Sequence, residues 1–213
     1  MCYLSYYPLE NQAVIFTSNR DEQAHRATSE IVTEYTENGV LYYPCVPDIV
    51  GSWVMLRRDG TVAVLLNGAF ERHRRKPPYR LSRGVVLRQV FDYQSFTEFV
   101  QVSDFQGVEP FTIIYKSKDP AQGFWELKWD EKQKHLRALD PALPQTWSSA
   151  TLYTPEMQLE RDAWFKTWLH EKNTPTNNYT LPYNAAAATT IAMDISPQAI
   201  LRFHTQATGG DKI

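Results

Sequence analysis

Cys2 directly follows Met1, and Asn19-Arg20-Asp21-Glu22 brings an arginine and a carboxylate back about one hairpin later. Removal of Met1 is expected, because the second residue is small, and it would make Cys2 the first residue. An α-amino group titrates at about 7.7–8.0 and a cysteine thiol at about 8.5. One residue would then carry both a nucleophile and a base near neutral pH, with no histidine required. Arg20 nearby would favour the thiolate, and Asp21 could hold the amine. Acyl transfer also needs a donor for the oxyanion, for which the side-chain amide of Asn67 is suited. A second reading stays open at each position. Cys2 can be the inert tail of a first strand, Arg20-Asp21 a surface ion pair at a turn, and Asn67-Gly68 another tight turn.

These residues need elements to position them. "CYLSYY" and "AVIFTSN" read as two strands joined by "PLENQ", so the chain opens on a hairpin. "SWVMLRRDGTVAVLLNGA" reads as a second hairpin, with Asp59-Gly60 expected in a type I′ turn. Val62–Leu66 is apolar without alternation, which predicts a strand covered on both faces. Ser82 is the predicted cap of a helix containing Val85, Val86, Leu87, Val90 and Phe91. Ser95 and Glu98 form a capping-box pattern for a segment ending near Val100. "PFTIIYK", "FWELKWD" and "HLRALD" read as strands, with "EKQK" connecting the last two. Thr154-Pro155-Glu156 opens a helix running to Leu169. "TTIAMDI" and "AILRFHT" form a final hairpin around Ser196-Pro197, and residues 173–184 are the most loop-like stretch. Strands outnumber helices and the helices come as separate blocks. This pattern predicts an α+β sandwich, in a single domain over 1–213, rather than a doubly wound parallel sheet.

Bulk properties narrow the function. The 213 residues are 43% hydrophobic and 13% aromatic, a globular composition, and 22 Lys+Arg against 24 Asp+Glu leave a net charge of −2. That balance argues against a general nucleic-acid or membrane binder. No apolar stretch is long enough to span a bilayer, and Pro8, Glu10, Asn11 and Gln12 interrupt any signal-peptide core. Two cysteines, Cys2 and Cys45, fit a reducing compartment, so the expected location is the cytoplasm. The sequon at Asn178 is then a chance match.

The five histidines lack metal-ligand spacing, and there is no phosphate loop or dinucleotide fingerprint, so neither metal nor cofactor is expected. No local signature supports Cys45 pairing with His135 or His204; Cys45 reads as a buried small hydrophobe. Residues 72–83 hold six Lys/Arg. A solvated loop is the plain reading. The sharper one is an anion-recognising lip of Arg74, Arg75 and Lys76, because the loop leaves directly from the Asn67 strand. The expected partner is therefore a small-molecule substrate or ligand, with an anionic group as one option. Oligomeric state is left open.

"MCYL…SNRDE", "GSWVMLRRDGTVAVLLN" and "RLSRGVVLRQVF" together resemble the NRDE-motif family, also called the transport and Golgi organisation 2 family. The resemblance is specific from Cys2 to about Val90 and looser beyond, although "TWSSATLYTPEMQLER" resembles the segment before the family's late helix. It implies an N-terminal-nucleophile (Ntn) hydrolase-like fold, a four-layer αββα sandwich with Cys2 opening a central strand and facing Asn67 across a cleft. It further implies Cys2 as nucleophile, Arg20 and Asp21 as its electrostatic partners, and Asn67 as oxyanion donor. The more distant penicillin acylase and bile-salt hydrolase group carries a similar set and cleaves amides. Eukaryotic members of the family itself are linked to lipid and haem handling.

Two departures bear on activity. Ser148-Ser149-Ala150 stands where the family tends to have Ser-Asn-Ala, so Ser149 replaces a second amide donor with a hydroxyl. "NAAAATTIAM" stands where a basic, polar segment with a late arginine is expected. The implied function is an N-terminal cysteine amidohydrolase for a small amide or lactam. The alternative is a lipid- or haem-ligand binding protein on a decayed Ntn scaffold.

Overall fold

The computed structural model describes residues 3–9, 13–21, 31–45, 51–171, 188–194 and 200–205; at 20, 21, 171, 188–194 and 200–205 the description covers the backbone. The chain opens with the expected hairpin. β1 (Tyr3–Pro8) and β2 (Val14–Asp21) pair antiparallel from Tyr3↔Asn19 to Pro8↔Val14. A hairpin absent from the sequence reading follows, β3 (Ile31–Thr36) with β4 (Gly39–Pro44). β3 is half exposed along its length, so its apolar signal is weak. The Asn-Gly dipeptide at 38–39, where the Glu37-Asn38 turn enters β4, is nonetheless a hairpin signal that the reading did not use.

β5 (Val54–Arg57) and β6 (Val62–Asn67) form the predicted hairpin, but the turn differs from expectation. Gly60 lies at φ 98° and Asp59 stays at negative φ. The Gly60 amide donates to the Arg57 carbonyl and the Arg57 amide to the Thr61 carbonyl, so this is a three-residue loop with a bulge rather than type I′. Asp59 favours it by accepting from the Thr61 amide at 2.8 Å and from Arg57.

α1 (Arg83–Gln89) is capped by Ser82, whose Oγ accepts from the Val85 amide, and α2 (Phe96–Val102) by Ser95, which accepts from the Glu98 amide at 3.0 Å. Both caps were legible locally. β7 (Phe111–Lys116), β8 (Phe124–Trp129) and β9 (Lys134–Ala138) form an antiparallel run. β10 (Gln145–Ser148), also absent from the sequence reading, precedes α3 (Pro155–Glu171). β11 (Ala188–Asp194) and β12 (Ile200–Thr205) pair antiparallel as predicted. The connection around Ser196-Pro197 and the loop-like 173–184 stretch lie outside the described residues.

The strands build two sheets, of order β10-β1-β2-β11-β12 and β3-β4-β5-β6-β7-β8-β9. β1 is thus an interior strand, hydrogen-bonded on both sides. Its side chains alternate between two layers, as the pleat requires. Leu4 and Tyr6 enter the main core between the sheets, where Tyr6 lies 4.7 Å from Phe124 and 5.0 Å from Phe16. Tyr3 and Tyr7 face α3: the Tyr3 hydroxyl donates to the Arg161 carbonyl, and Tyr7 meets Trp168 edge-on at 5.4 Å.

On the other side, α1 lies over β5 and β6, and Phe96 of α2 stacks on Tyr115 of β7 at 4.5 Å. Helix, sheet, sheet and helix form four layers. Val62–Leu66 is at most 5% exposed at every position because β6 is covered on both faces; each of its Val and Leu side chains contributes roughly 1.5–3 kcal/mol on burial. Among the described residues no helix is long and apolar enough to cross a membrane.

Candidate functional site

β10 joins the sheet through Tyr3↔Ser148, so the start of β1 meets the end of β10 on one side and Asn19 of β2 on the other. Cys2 precedes Tyr3 in the chain, Arg20 follows Asn19, and Ser149 follows Ser148. Cys2 lies outside the described residues. Arg20 and Asp21 end β2 and pair with Thr189 and Ala188 through the backbone.

The opposite sheet contributes Asn67, the last residue of β6. Ser149 is fully buried, and its Oγ donates to the Asn67 carbonyl at 2.9 Å, with Thr151 Oγ1 at 3.1 Å as its other partner. This bond stitches the two sheets together at the site. The Asn67 side chain is half-buried, and its amide makes no hydrogen bond to the described residues. Its backbone is held firmly. The Gly68 amide donates to the Pro110 carbonyl at 3.0 Å, and Thr112 Oγ1 donates to the Gly68 carbonyl at 2.9 Å. Gly68 sits at φ +83°, where an added Cβ would lie 3.0 Å from Thr151 Cγ2 and 3.1 Å from Ala150 Cβ. The end of β6 can therefore press directly on the 149–151 segment only with glycine there.

Beside this junction lies a cleft of about 350 Å³. Ala69 and Ser148 border it, and Glu126, Lys128, Arg137 and Asp162 line it. Sequence reasoning missed those four charged residues. The available signal was "FWELKW", two charges spaced two apart in an otherwise apolar strand, which puts both on one face. Phe124 on that same face enters the inter-sheet core, so Glu126 and Lys128 point inward too. Glu126 is 6% exposed and accepts from the Trp147 indole at 2.8 Å and from Arg137 at 3.2 Å. Thr146 donates to Asp162 at 2.6 Å on the facing side.

The basic loop is partly neutralised. Arg75 Nε lies 3.4 Å from Glu109 and Lys76 Nζ 2.9 Å from Glu131. Arg74 is exposed with no ion pair to the described residues. Cys45 is half-buried rather than buried. His135 is committed to Asp130, at 2.8 Å.

His135, paired with Asp130, also meets the cleft-lining Phe70 edge-on at 4.8 Å. Burial pushes the Asp130 carboxyl up, but the Gln133 amide, His135 and the Lys132 amide outweigh it and bring it down to about 2. A carboxyl depressed on folding stabilises the protein above its unfolded pKa, about 3.9, and that contribution is lost as pH falls toward 2. Urea unfolding at a series of acidic pH values should show a stability decline through this window that is shallower in Asp130→Asn. An identical decline in both proteins would contradict the assignment.

Four layers, with an interior first strand whose start pairs with the end of β10, itself tied through Ser149 to the end of β6, define an Ntn-hydrolase fold. A Caenorhabditis elegans ortholog of N-acylethanolamine-hydrolyzing acid amidase superposes with a TM-score of 0.66 at 12% identity, over 91% of this chain and 93% of that one. The C2A mutant of conjugated bile acid hydrolase from Clostridium perfringens aligns with a TM-score of 0.45 at 7% identity, over 85% of this chain and 62% of that one. No curated protein sequence matches the chain. The model of the Transport and Golgi organisation 2 family matches residues 1–188, and the chain belongs to that family.

Proposed function

We propose that the protein is an N-terminal cysteine amidohydrolase that cleaves the C–N bond of a small amide or lactam, with Cys2 as nucleophile once Met1 is removed. The observation that carries this reading is the junction at the start of β1. Tyr3 pairs with both Ser148 and Asn19, while Ser149 is hydrogen-bonded to Asn67 of the opposite sheet. The Asn67 amide, which makes no hydrogen bond to the described residues, is thus tied through Ser149 to the segment that pairs with the start of β1.

In the proposed reaction the Cys2 thiolate attacks the amide carbonyl, forming a C–S bond and a tetrahedral oxyanion. Asn67 donates to that oxyanion, and Arg20 favours the thiolate. The Cys2 ammonium, held by Asp21, gives its proton to the leaving nitrogen as the C–N bond breaks. Water, deprotonated by the free amine, then hydrolyses the thioester and regenerates the thiol. Arg74, Arg75 and Lys76 serve as an outer lip that draws anionic substrates toward the site without holding them. Ser149 acts by fixing Asn67.

One observation favours the alternative, a ligand-binding protein on a decayed scaffold. The single hydroxyl proton of Ser149 is already donated to the Asn67 carbonyl, so Ser149 supplies no second oxyanion donor. Intact mass of the native protein, followed by peptide mapping after exposure to an acylating probe, separates the readings. The hydrolase requires loss of Met1 and labelling of Cys2 well above Cys45, abolished in Arg20→Ala. Equal or absent labelling of the two cysteines supports the binder.

A further inference from the structure

We infer that the cleft beside Ser148 holds the carboxylate-bearing end of a short, polar amide, with Lys128 as its anion contact. Lys128 lines the cleft with its side chain partly buried, 23% exposed. Its recorded contacts are Glu126 Oε1 at 3.9 Å and the face of the Phe70 ring, 4.8 Å from the centroid. Neither is a hydrogen bond, so the ammonium of this cleft-lining lysine keeps its N–H donors available to a ligand acceptor.

Glu126 does not neutralise this wall. Its Oε2 takes both the Trp147 indole and Arg137, leaving Lys128 and Arg137 against one carboxylate on this side of the cleft. A partly buried ammonium in a cleft is a good recruiter of a carboxylate, because charge-assisted bonds gain strength where water is partly excluded. Across the cleft Asp162, held by Thr146, supplies an acceptor suited to a ligand N–H. Together they favour a molecule with an anionic end and an amide end. The volume, about 350 Å³, sits at the small end of ligand sites, and the charged walls disfavour an alkyl chain.

This differs from capture by the 74–76 loop, where Arg75 and Lys76 already have carboxylate partners. It rests on the amidohydrolase reading only for which molecule is turned over. Binding of the anion stands independently, so the test uses Cys2→Ala protein, in which no acyl-enzyme can form.

Three probes are compared by isothermal titration calorimetry: glutarate monoamide, its neutral methyl ester, and hexanamide. The monoamide should bind about tenfold more tightly than the ester. Lys128→Met should remove that preference, Lys128→Arg should keep most of it, and the exposed Lys118→Met should leave it intact. Circular dichroism of each variant checks that the fold is kept. The preference should also weaken less at high salt than that of an exposed pair, since a partly buried pair is screened less. Equal binding of monoamide and ester would overturn the inference. So would tightest binding of hexanamide, or a preference that persists in Lys128→Met and disappears when Arg74, Arg75 and Lys76 are neutralised. Failure of Cys2 to acylate in the native protein would remove the hydrolase reading and leave these results standing.

Discussion

Asn67→Ala is expected to lower kcat about a hundredfold while leaving KM nearly unchanged, because an oxyanion donor acts in the transition state. The effect should be this large because the site has so little redundancy. Ser149 is fully buried and spends its proton on the Asn67 carbonyl, so nothing described at the end of β10 can take over. Removing the amide leaves the backbone supports in place, since they come from Ser149, Thr112 and Pro110 acting on the Asn67 and Gly68 main chain. The loss should therefore be catalytic rather than structural. Steady-state kinetics on any turned-over amide decides it. A raised KM with kcat intact would assign Asn67 to substrate binding instead. Ser149→Asn, which restores the family's usual residue, is the complementary variant. Increased activity would indicate a weakened but intact site, and inactivity of both forms would favour the binder.

Gly51→Ala should cost on the order of 3 kcal/mol of stability, combining positive-φ strain with a backbone collision. Gly51 lies at φ +106°, and a Cβ there would sit 2.7 Å from the Gly84 carbonyl oxygen and 2.7 Å from the Val85 amide, with the Gly84 carbonyl carbon closer still. These are main-chain atoms at the start of α1, so no rotamer change relieves the contact. The helix would have to lift from β5 and β6. Gly84→Ala should be milder, since its nearest neighbours, the Ser52 oxygen and nitrogen, lie at 3.0 and 3.1 Å. Chemical denaturation of both variants tests the ordering. Equal stability of Gly51→Ala and the parent would mean that the α1 junction yields more readily than close backbone packing allows.

Elements whose signals are local were legible in the sequence. Ser82 and Ser95 announce α1 and α2 because a cap bonds amides two or three residues away, and Thr154-Pro155 announces α3 for the same reason. The unbroken apolar run Val62–Leu66 showed that β6 is covered on both faces, since no polar position remains to face water. Motifs in the first half, from Cys2 through Asn67 to Val90, likewise pointed to the Ntn-type sandwich and to the family.

What the sequence could not determine depends on which elements become neighbours. β10 is four residues long and is a strand because β1 supplies its partner, so its own residues carry little signal. Ser149 read as a weakened donor; only the approach of β6 to the 149–151 segment turned its hydroxyl toward the Asn67 carbonyl. Arg75 and Lys76 read as unpaired cations until the fold brought Glu109 and Glu131 to them from 34 and 55 residues further along the chain. Lys128 read as an ordinary strand residue. Its place in the cleft wall arises because β8 turns that face toward the other sheet, and the partners a charge finds there are set by packing between layers, not by neighbours in sequence.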